Sequence, residues 1–526
     1  MNRPSIHWFR LDLRLADNPA LHAAINGGRV VVPVFIWSPD EEDDWPPRGA
    51  SNWWLHHSLA ALDASLRAAG SRLVLRHGPT LQTLRALVKE TGAKAVFWNR
   101  RYEPAIVARD AKLQEALRKD GLTVESFNAA LLHEPWTIQN QSGKPFQVFT
   151  PFWKHCLTKA DTEVPPSAPK KLSSPNTWPN SLGLDELELE PKINWAERLR
   201  TAWQPGEVGA SINLQLFLSK AFADYSEKRN RPDITGTSRL SPHLHFGEIS
   251  ARRIWHGLSA HAAKRGLAVA AWRNSQFVAQ VGWREFAHHL LFHFPHTPAE
   301  PLRPQFKHFP WHKDAALLRA WQKGRTGYPI VDAGMRELWT TGWMHNRVRM
   351  IVASFLVKDL LLPWQDGARW FWDTLVDADL AQNTLGWQWT AGCAADAAPY
   401  FRIFNPVSQG EKFDPNGDYV RHWCPELAKL TPQWIHQPHA APQEILHAAG
   451  VELGRTYPKP VVNHAAARAA ALAAFAQIKS GVVDTPLPGN HAAGCSQKLK
   501  ERACARNQYN LPQRRITKPS RKWRGA

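Results

Sequence analysis

Hydrophobic periodicity changes once along this chain, and that change constrains the fold more than any other feature. Through the first ~130 residues short β-branched runs alternate with amphipathic stretches. Arg29–Trp37, Ser71–Arg76, Ala93–Trp98 and Leu122–Phe127 read as strands, and Ser51–Ala69, Thr80–Thr91 and Pro104–Asp120 as helices. Such βαβα alternation predicts a parallel sheet with helices on both faces. From about residue 208 to 480 the pattern becomes helix after helix, ending in the Ala-rich VVNHAAARAAALAAFAQIKSG, which predicts an all-α domain. The fold class is therefore an α/β N-terminal domain with a Rossmann-like parallel sheet plus a large all-α C-terminal domain. The divisions fall at 1–135 for the α/β domain, 136–207 for an interdomain connection, 208–482 for the helical domain and 483–526 for a basic tail. The connection contains TEVPPSAPKKLSSPNTWPNS, rich in Pro, Ser and Lys without periodicity. No repeat at a solenoid period is found. The fingerprint GxGxxG is absent after the first strand, where IHWFRLDLRLADNPAL stands, so a dinucleotide laid across this sheet in the usual way is not expected.

Composition narrows the function. A net charge of +19 over 526 residues points to a polyanionic partner, most simply nucleic acid, against the plain alternative of a solvated basic surface. The tail concentrates the charge: Lys498 to Arg524 holds ten Lys/Arg against one acid, Glu501, and reads as added phosphate affinity or a solubilising end. Cys156, Cys393, Cys424, Cys495 and Cys504 form no CxxC pair, which supports neither a disulfide framework nor a zinc ribbon. A reducing cytosol is the expected compartment. MNRPSIHWFRLDLR lacks the apolar core of a signal peptide, and no apolar run reaches the ~18 residues of a membrane span. The 26 Trp against seven Tyr are either bulky packing residues or oxidisable, base-stacking ones, and composition does not choose.

Five segments of the helical half carry dense polar and aromatic residues. In GTSRLSPHLHFGEIS, Thr237, Ser238, Arg239 and Ser241 precede a helix, where they offer an anion site or serve as ordinary N-caps. Gln280, Trp283 and Arg284 fall at i, i+3 and i+4 and share a helix face suited to reading and stacking on a base. Asn346, Arg349 and Met350 share another. The fourth segment runs from Asp377 and Asp379 through Asn383 to Trp387 and Trp389, and the fifth is AAPYFRIFNP, with Arg402. Singly, each reads as a cap, a salt bridge or a turn. There is no HExxH, GxSxG or Cys/His cluster, so no metal site or nucleophilic triad is expected.

At these residues the chain resembles the photolyase/cryptochrome family. The resemblance runs in order from HWFRLDLRLADNPAL through TGTSRLSPHLHFGEIS, WREF, TGYPIVDAGMRELWTTGWMHNRVRM and DADLAQNTLGWQW to YFRIFNPVSQGEKFD, over about residues 5–480. AALLHEPWTIQNQSGKPFQVFTPFWKHC, NRRYEP and AGCAADAAPYFRIFNP look most like the class III photolyases that act on cyclobutane pyrimidine dimers (CPDs). The resemblance implies an antenna domain on the sheet and a helical domain holding FAD in a bent form that needs no Rossmann glycines. It assigns Tyr225, Thr237, Ser238, Arg239, Leu240 and Ser241 to the FAD diphosphate. Asn346, Arg349, Asp377, Asp379 and Asn383 fall to the ribityl chain and isoalloxazine, with Asn383 facing flavin N5.

The implied reaction is light-driven DNA repair: excited FADH⁻ gives an electron to the dimer, the cyclobutane bonds break and the electron returns. The resemblance places Trp283 and Trp389 around a flipped dimer, with Gln280, Asn346 and Met350 in the lesion pocket. It makes Arg229, Arg347 and Arg402 DNA contacts, and Trp387, Trp364 and Trp311 the electron chain to the surface, with Trp343 and Trp370 as a side branch. Gln280 stands where most CPD enzymes carry Glu, as in (6-4) photolyases, but Met344-His345-Asn346-Arg347 with Met350 departs from the (6-4) pattern. Ala105 and Ile106 replace the Asn-Glu pair that grips 5,10-methenyltetrahydrofolate in class I enzymes, so Glu134–Trp153 is the expected site for that antenna, with a deazaflavin or no antenna as alternatives. The expected protein is a cytoplasmic, nucleoid-associated monomer acting on UV-damaged DNA, with a cryptochrome-type photoreceptor or a (6-4) photolyase as the alternative.

Overall fold

The computed structural model describes residues 4–159, 163–397 and 402–480. Five parallel strands, β1 (Ser5–Phe9), β2 (Val31–Trp37), β3 (Val74–His77), β4 (Ala95–Asn99) and β5 (Thr123–Phe127), are ordered β3-β2-β1-β4-β5. In register Ser5 pairs with both Val31 and Ala95. Side-chain alternation explains why both faces are apolar. Ile6, Trp8, Val32, Val34, Val96 and Trp98 meet Leu84, Leu87, Leu113 and Leu117 of the helices Thr80–Thr91 and Pro104–Lys119. Phe9, Val31, Phe35 and Phe97 meet Trp53, Trp54, Leu59 and Leu62 of the helix Gly49–Ala68.

Two expectations change. The central strand β1 was not among the four strands read from β-branched runs, because SIHWF has Ile6 alone to mark it. The connection is not a free spacer. Leu172, Leu187, Leu189, Ala196, Leu199 and Trp203 are buried in the core under Gly49–Ala68, and Leu182 N donates to Leu75 O at 3.0 Å along the sheet edge. It also holds two helices, Phe149–Leu157 and Glu197–Ala202.

The crevice between the ends of β1 and β4, the switch point of this strand order, is filled by the protein itself. Asn99 Nδ2 donates to Asp12 Oδ2 at 2.6 Å and to Asn18 Oδ1 at 2.7 Å, while Arg10 bonds Asp110 at 2.5 Å. All of this is buried except Asp110, so the missing glycine fingerprint has a physical counterpart. Beside it Arg14, 1% exposed, donates to Gly247 O at 2.7 Å and Ala129 O at 2.9 Å, riveting the sheet to the helical half. Gly247 must be glycine there: its φ is +64° and a Cβ would lie 2.1 Å from Leu11 O.

Beyond β5 the described residues form helices and no named strand. Four helices matter for the site: Gln276–His293, Asn346–Ser354, Trp364–Thr374 and Leu380–Ala391. Among the described residues no helix is long and apolar enough to cross a membrane. The tail 483–526, Cys495, Cys504, Tyr400 and Phe401 lie outside the described residues.

Candidate active site

Three capped helices aim their polar faces at one another. Ser275 caps Gln276–His293 through Val278 N at 3.3 Å, His345 caps Asn346–Ser354 through Arg347 N at 3.2 Å, and Asp379 caps Leu380–Ala391 through Gln382 N at 2.9 Å. With starts fixed, the 3.6 period brings Gln280 and Trp283, Asn346, Arg349 and Met350, and Asn383 and Trp387 to the wall of one cavity of about 420 Å³, joined by Arg229, Asp377 and Trp389. Gln280, Asn346, Arg349 and Asp377 also wall an adjoining chamber of about 280 Å³, closed by Leu240, Ser241, His245 and Asp379. Joined, the chambers fall within the ~300–1,000 Å³ of cofactor sites.

Arg349 Nη2 donates to both oxygens of Asp377, at 3.0 and 2.9 Å, and its Nε donates to Met344 O at 2.8 Å. The pair puts a fixed cation in the cavity wall with its counter-ion, 4% exposed, in the same wall. Burial alone would raise the Asp379 carboxyl, but His288, His245 and Arg284 hold it well below the usual carboxylate range. Asn383 Nδ2 donates to Ala368 O at 3.0 Å, which leaves its carbonyl end for a partner in the cavity. These groups fit a large polar ring system with a polyol and a negative charge.

The residues expected to meet the lesion, Gln280, Trp283, Asn346, Met350 and Trp389, all line the first chamber. Trp283 lies flat on Phe149, ring centroids 3.9 Å apart and 8° from parallel. Arg229 Nη1 donates to Gln276 Oε1 at 3.0 Å, and Arg347 Nη2 donates to Asn230 Oδ1 at 2.7 Å over the Phe413 ring. Burial lowers the Arg347 pKa, and the like charges of Arg229 and Arg402 lower it further, so three guanidinium groups crowd together. Arg402 itself is exposed.

Other expected residues stand apart. Tyr225, Thr237, Ser238 and Arg239 do not line either chamber. Tyr225 packs against Phe217 and Phe277, while Arg239, at φ +52°, stacks over Trp203 at 4.1 Å and Trp343 at 5.4 Å. The N-cap reading of that segment fails: Leu240 caps Ser241–His245 without a side-chain bond, so the Thr237, Ser238 and Ser241 hydroxyls are not used that way. That helix is one turn long and adds little dipole to an anion site. Trp387 and Trp364 are each 2% exposed and Trp311 half-buried, while the ring neighbours of Trp387 are Phe371 at 5.0 Å and Trp321 at 6.1 Å. Trp343 lines the second chamber, whereas Trp370 stacks on the exposed Trp339 at 6.0 Å. Sequence reading missed Gln276, Gln382, His245 and Phe371 in the walls. Only Gln382 carried a signal, three residues after a capping Asp.

Two features bear on a second ligand. In Glu134–Trp153, Glu134 accepts from Arg100 at 2.6 Å and from the Tyr102 hydroxyl at 2.9 Å, and Trp136 is 41% exposed beside them. A pocket at the strand ends measures only about 60 Å³, and Arg101 spans it to Glu42 at 2.5 Å and Glu103 at 3.0 Å.

Comparison with known proteins gives two family matches, "DNA photolyase" over residues 5–170 and "FAD binding domain of DNA photolyase" over 277–477. The chain is 52% identical over 480 residues to the deoxyribodipyrimidine photo-lyase of Agrobacterium fabrum, covering 90% of this chain and 98% of that one. It is 43% identical to Cryptochrome-1 of Arabidopsis thaliana, over 90% of this chain and 70% of that one. The crystal structure of a bacterial class III photolyase from Agrobacterium tumefaciens superposes with TM-score 0.87 at 51% identity, over 91% of this chain and 98% of the other.

Proposed function

The chain belongs to the photolyase/cryptochrome family, and from that premise we propose that it is a deoxyribodipyrimidine photo-lyase, a class III type enzyme that splits cyclobutane pyrimidine dimers in UV-damaged DNA under blue light. It is an FAD protein. Reduced FAD supplies, when bound, the excited-state electron that opens the cyclobutane ring. The observation carrying this reading is that one cavity joins Arg349, Asp377 and Asn383 to Gln280, Trp283, Met350 and Trp389 under a rim of arginines.

The work of the chain is binding, orientation and charge. Arg349, Asn346 and Asp379 hold the polar parts of the cofactor, and the Arg349 cation keeps its reduced ring ionised. Asn383 offers an amide with no acidic proton to give, which favours repair over signalling. Leu240 and Ser241, in the wall of the second chamber, meet the diphosphate, and Tyr225 with Thr237, Ser238 and Arg239 supports it from outside that wall. Trp283 and Trp389 receive the flipped dimer on aromatic faces, Gln280 bonds a thymine carbonyl, and Arg229, Arg347 and Arg402 take flanking phosphates. Flipping costs a few kcal/mol, less for a lesion that already pairs badly. Trp387, Trp364 and Trp311 form the route by which electrons enter from the surface.

Residues 1–135 serve as the antenna domain, 136–207 as the connection and 208–482 as the FAD and DNA domain, with 483–526 adding phosphate affinity. The antenna is 5,10-methenyltetrahydrofolate on Glu134–Trp153, where Trp136 is 41% exposed beside Glu134, Arg100 and Tyr102. The enzyme works as a cytoplasmic monomer on the nucleoid. The test is blue-light repair of a thymine-dimer oligonucleotide by dithionite-reduced protein, read as returning thymine absorbance, with a (6-4) lesion in parallel. Repair of the dimer alone is expected. Repair of neither by FAD-loaded protein would overturn the reading in favour of a cryptochrome.

A further inference from the structure

Two adjacent charged residues lie buried in the helical half with no part in the chemistry above. Lys358 and Asp359 are each 4% exposed. They close the π-turn Phe355–Asp359, which continues the helix Asn346–Ser354 and is marked by Leu360 N donating to Phe355 O, five residues back, at 3.0 Å. A wider turn rotates its side chains out of the α register and is frequent at functional sites. The two charges reach different partners. Lys358 Nζ donates to the backbone carbonyl of Arg402, and Asp359 pairs with His464 Nδ1 at 2.5 Å where the helix His464–Ser480 begins. A second tether, Phe404 N to Ser354 Oγ at 3.3 Å, holds the same loop.

We infer that Lys358 is a positioning residue for DNA: by gripping the Arg402 carbonyl it sets where the Arg402 guanidinium leaves the surface, and it takes up a proton when a phosphate settles on Arg402. The inference rests on the reading of Arg402 as a DNA contact. Burial pushes the Lys358 ammonium down to about 7, with Asp359 opposing and the Arg402 charge adding to the fall. Among the described residues, the charged and titratable groups facing it include Asp359 on its own turn, Arg402 on the loop and, behind Asp359, His464 of the last helix and Tyr328. A phosphodiester on Arg402 cancels the like charge opposite Lys358 and so favours its protonated form. Binding and protonation then promote each other equally. The complex holds the proton to higher pH than the free protein does, so DNA affinity falls as pH rises above about 7.

The test measures affinity of FAD-loaded, full-length protein for a duplex carrying one cyclobutane dimer, between about pH 7 and pH 9. Wild type should weaken severalfold across that range. Lys358→Met should bind about tenfold more weakly at pH 7 with a flat profile. Lys358→Arg, permanently charged, should restore binding at pH 7 and also lie flat. A wild-type slope retained in Lys358→Arg, or wild-type affinity in Lys358→Met, would overturn the inference and leave the DNA reading standing. Should Lys358→Met fail to fold, the Lys358→Arg slope decides. Failure of wild type to bind the lesion at any pH would instead overturn the proposed function.

Discussion

Trp387 is buried at the cavity wall with its indole N–H unpaired among the described residues. Replacing it with Phe therefore strands no partner and keeps an aromatic ring between Phe371 and Trp321. Trp387→Phe should block photoreduction of oxidised flavin by light and thiol, while enzyme reduced with dithionite repairs at close to the wild-type rate. Equal loss of both would remove Trp387 from the electron route. Glu285 tests a different property. It is 3% exposed, accepts from Leu132 N at 2.9 Å, and is pushed by burial up to about 7 despite Arg284 and those backbone donors. A carboxyl raised on folding gives stability that is full below its unfolded range, near 4.5, and is lost as pH rises through about 7. Relative to Glu285→Gln, wild type should lose melting temperature from about pH 5 to about pH 7 and level off above it, as thermal unfolding would read; a constant difference would show that Glu285 does not titrate in that range.

At the scale of elements, the helices Trp364–Thr374 and Leu380–Ala391 pack tightly at Gly367. A Cβ at Gly367 would lie 2.0 Å from the Trp387 ring. Gly367→Ala should cost about 1–3 kcal/mol by overpacking and disturb the Trp387 side of the cavity. Thermal melts and the flavin-to-protein absorbance ratio check it, and an unchanged melt would mean that the indole moves aside freely. Elements were legible where one local signal sufficed. Val31–Trp37 and Thr80–Thr91 are found close to where their residues put them, because β-branched runs and a 3.6 period are local properties. β1 escaped because its place comes from two neighbours, β2 and β4, and not from its own composition. The packing of the connection escaped for the same reason: Leu172 stands alone in a Pro- and Ser-rich stretch and Leu187 and Leu189 lie in an acidic run, and only the tertiary surface under Gly49–Ala68 buries each of them.

Across the whole molecule, the net charge of +19 is a prior for a polyanion, and on the proposed reading the arginine rim is where part of that charge meets phosphate. Arg402→Ala should weaken lesion binding and reduce the slope of log affinity against log salt by about one phosphate's worth. An unchanged slope in a salt titration would remove that contact. The site was legible in part for a reason of scale. Asn346, Arg349 and Met350 share a helix face that the 3.6 period reveals, whereas His245, Gln276 and Phe371 enter the walls only because separate helices fold back on one another. The crowding of Arg229, Arg347 and Arg402 has a last consequence. Folding without DNA brings these like charges together, and on the proposed reading of the rim as a phosphate site a bound phosphodiester relieves that repulsion. Dissolved salt then acts in opposite senses on two equilibria: it relaxes the empty protein and raises its resistance to unfolding while it loosens the grip on DNA.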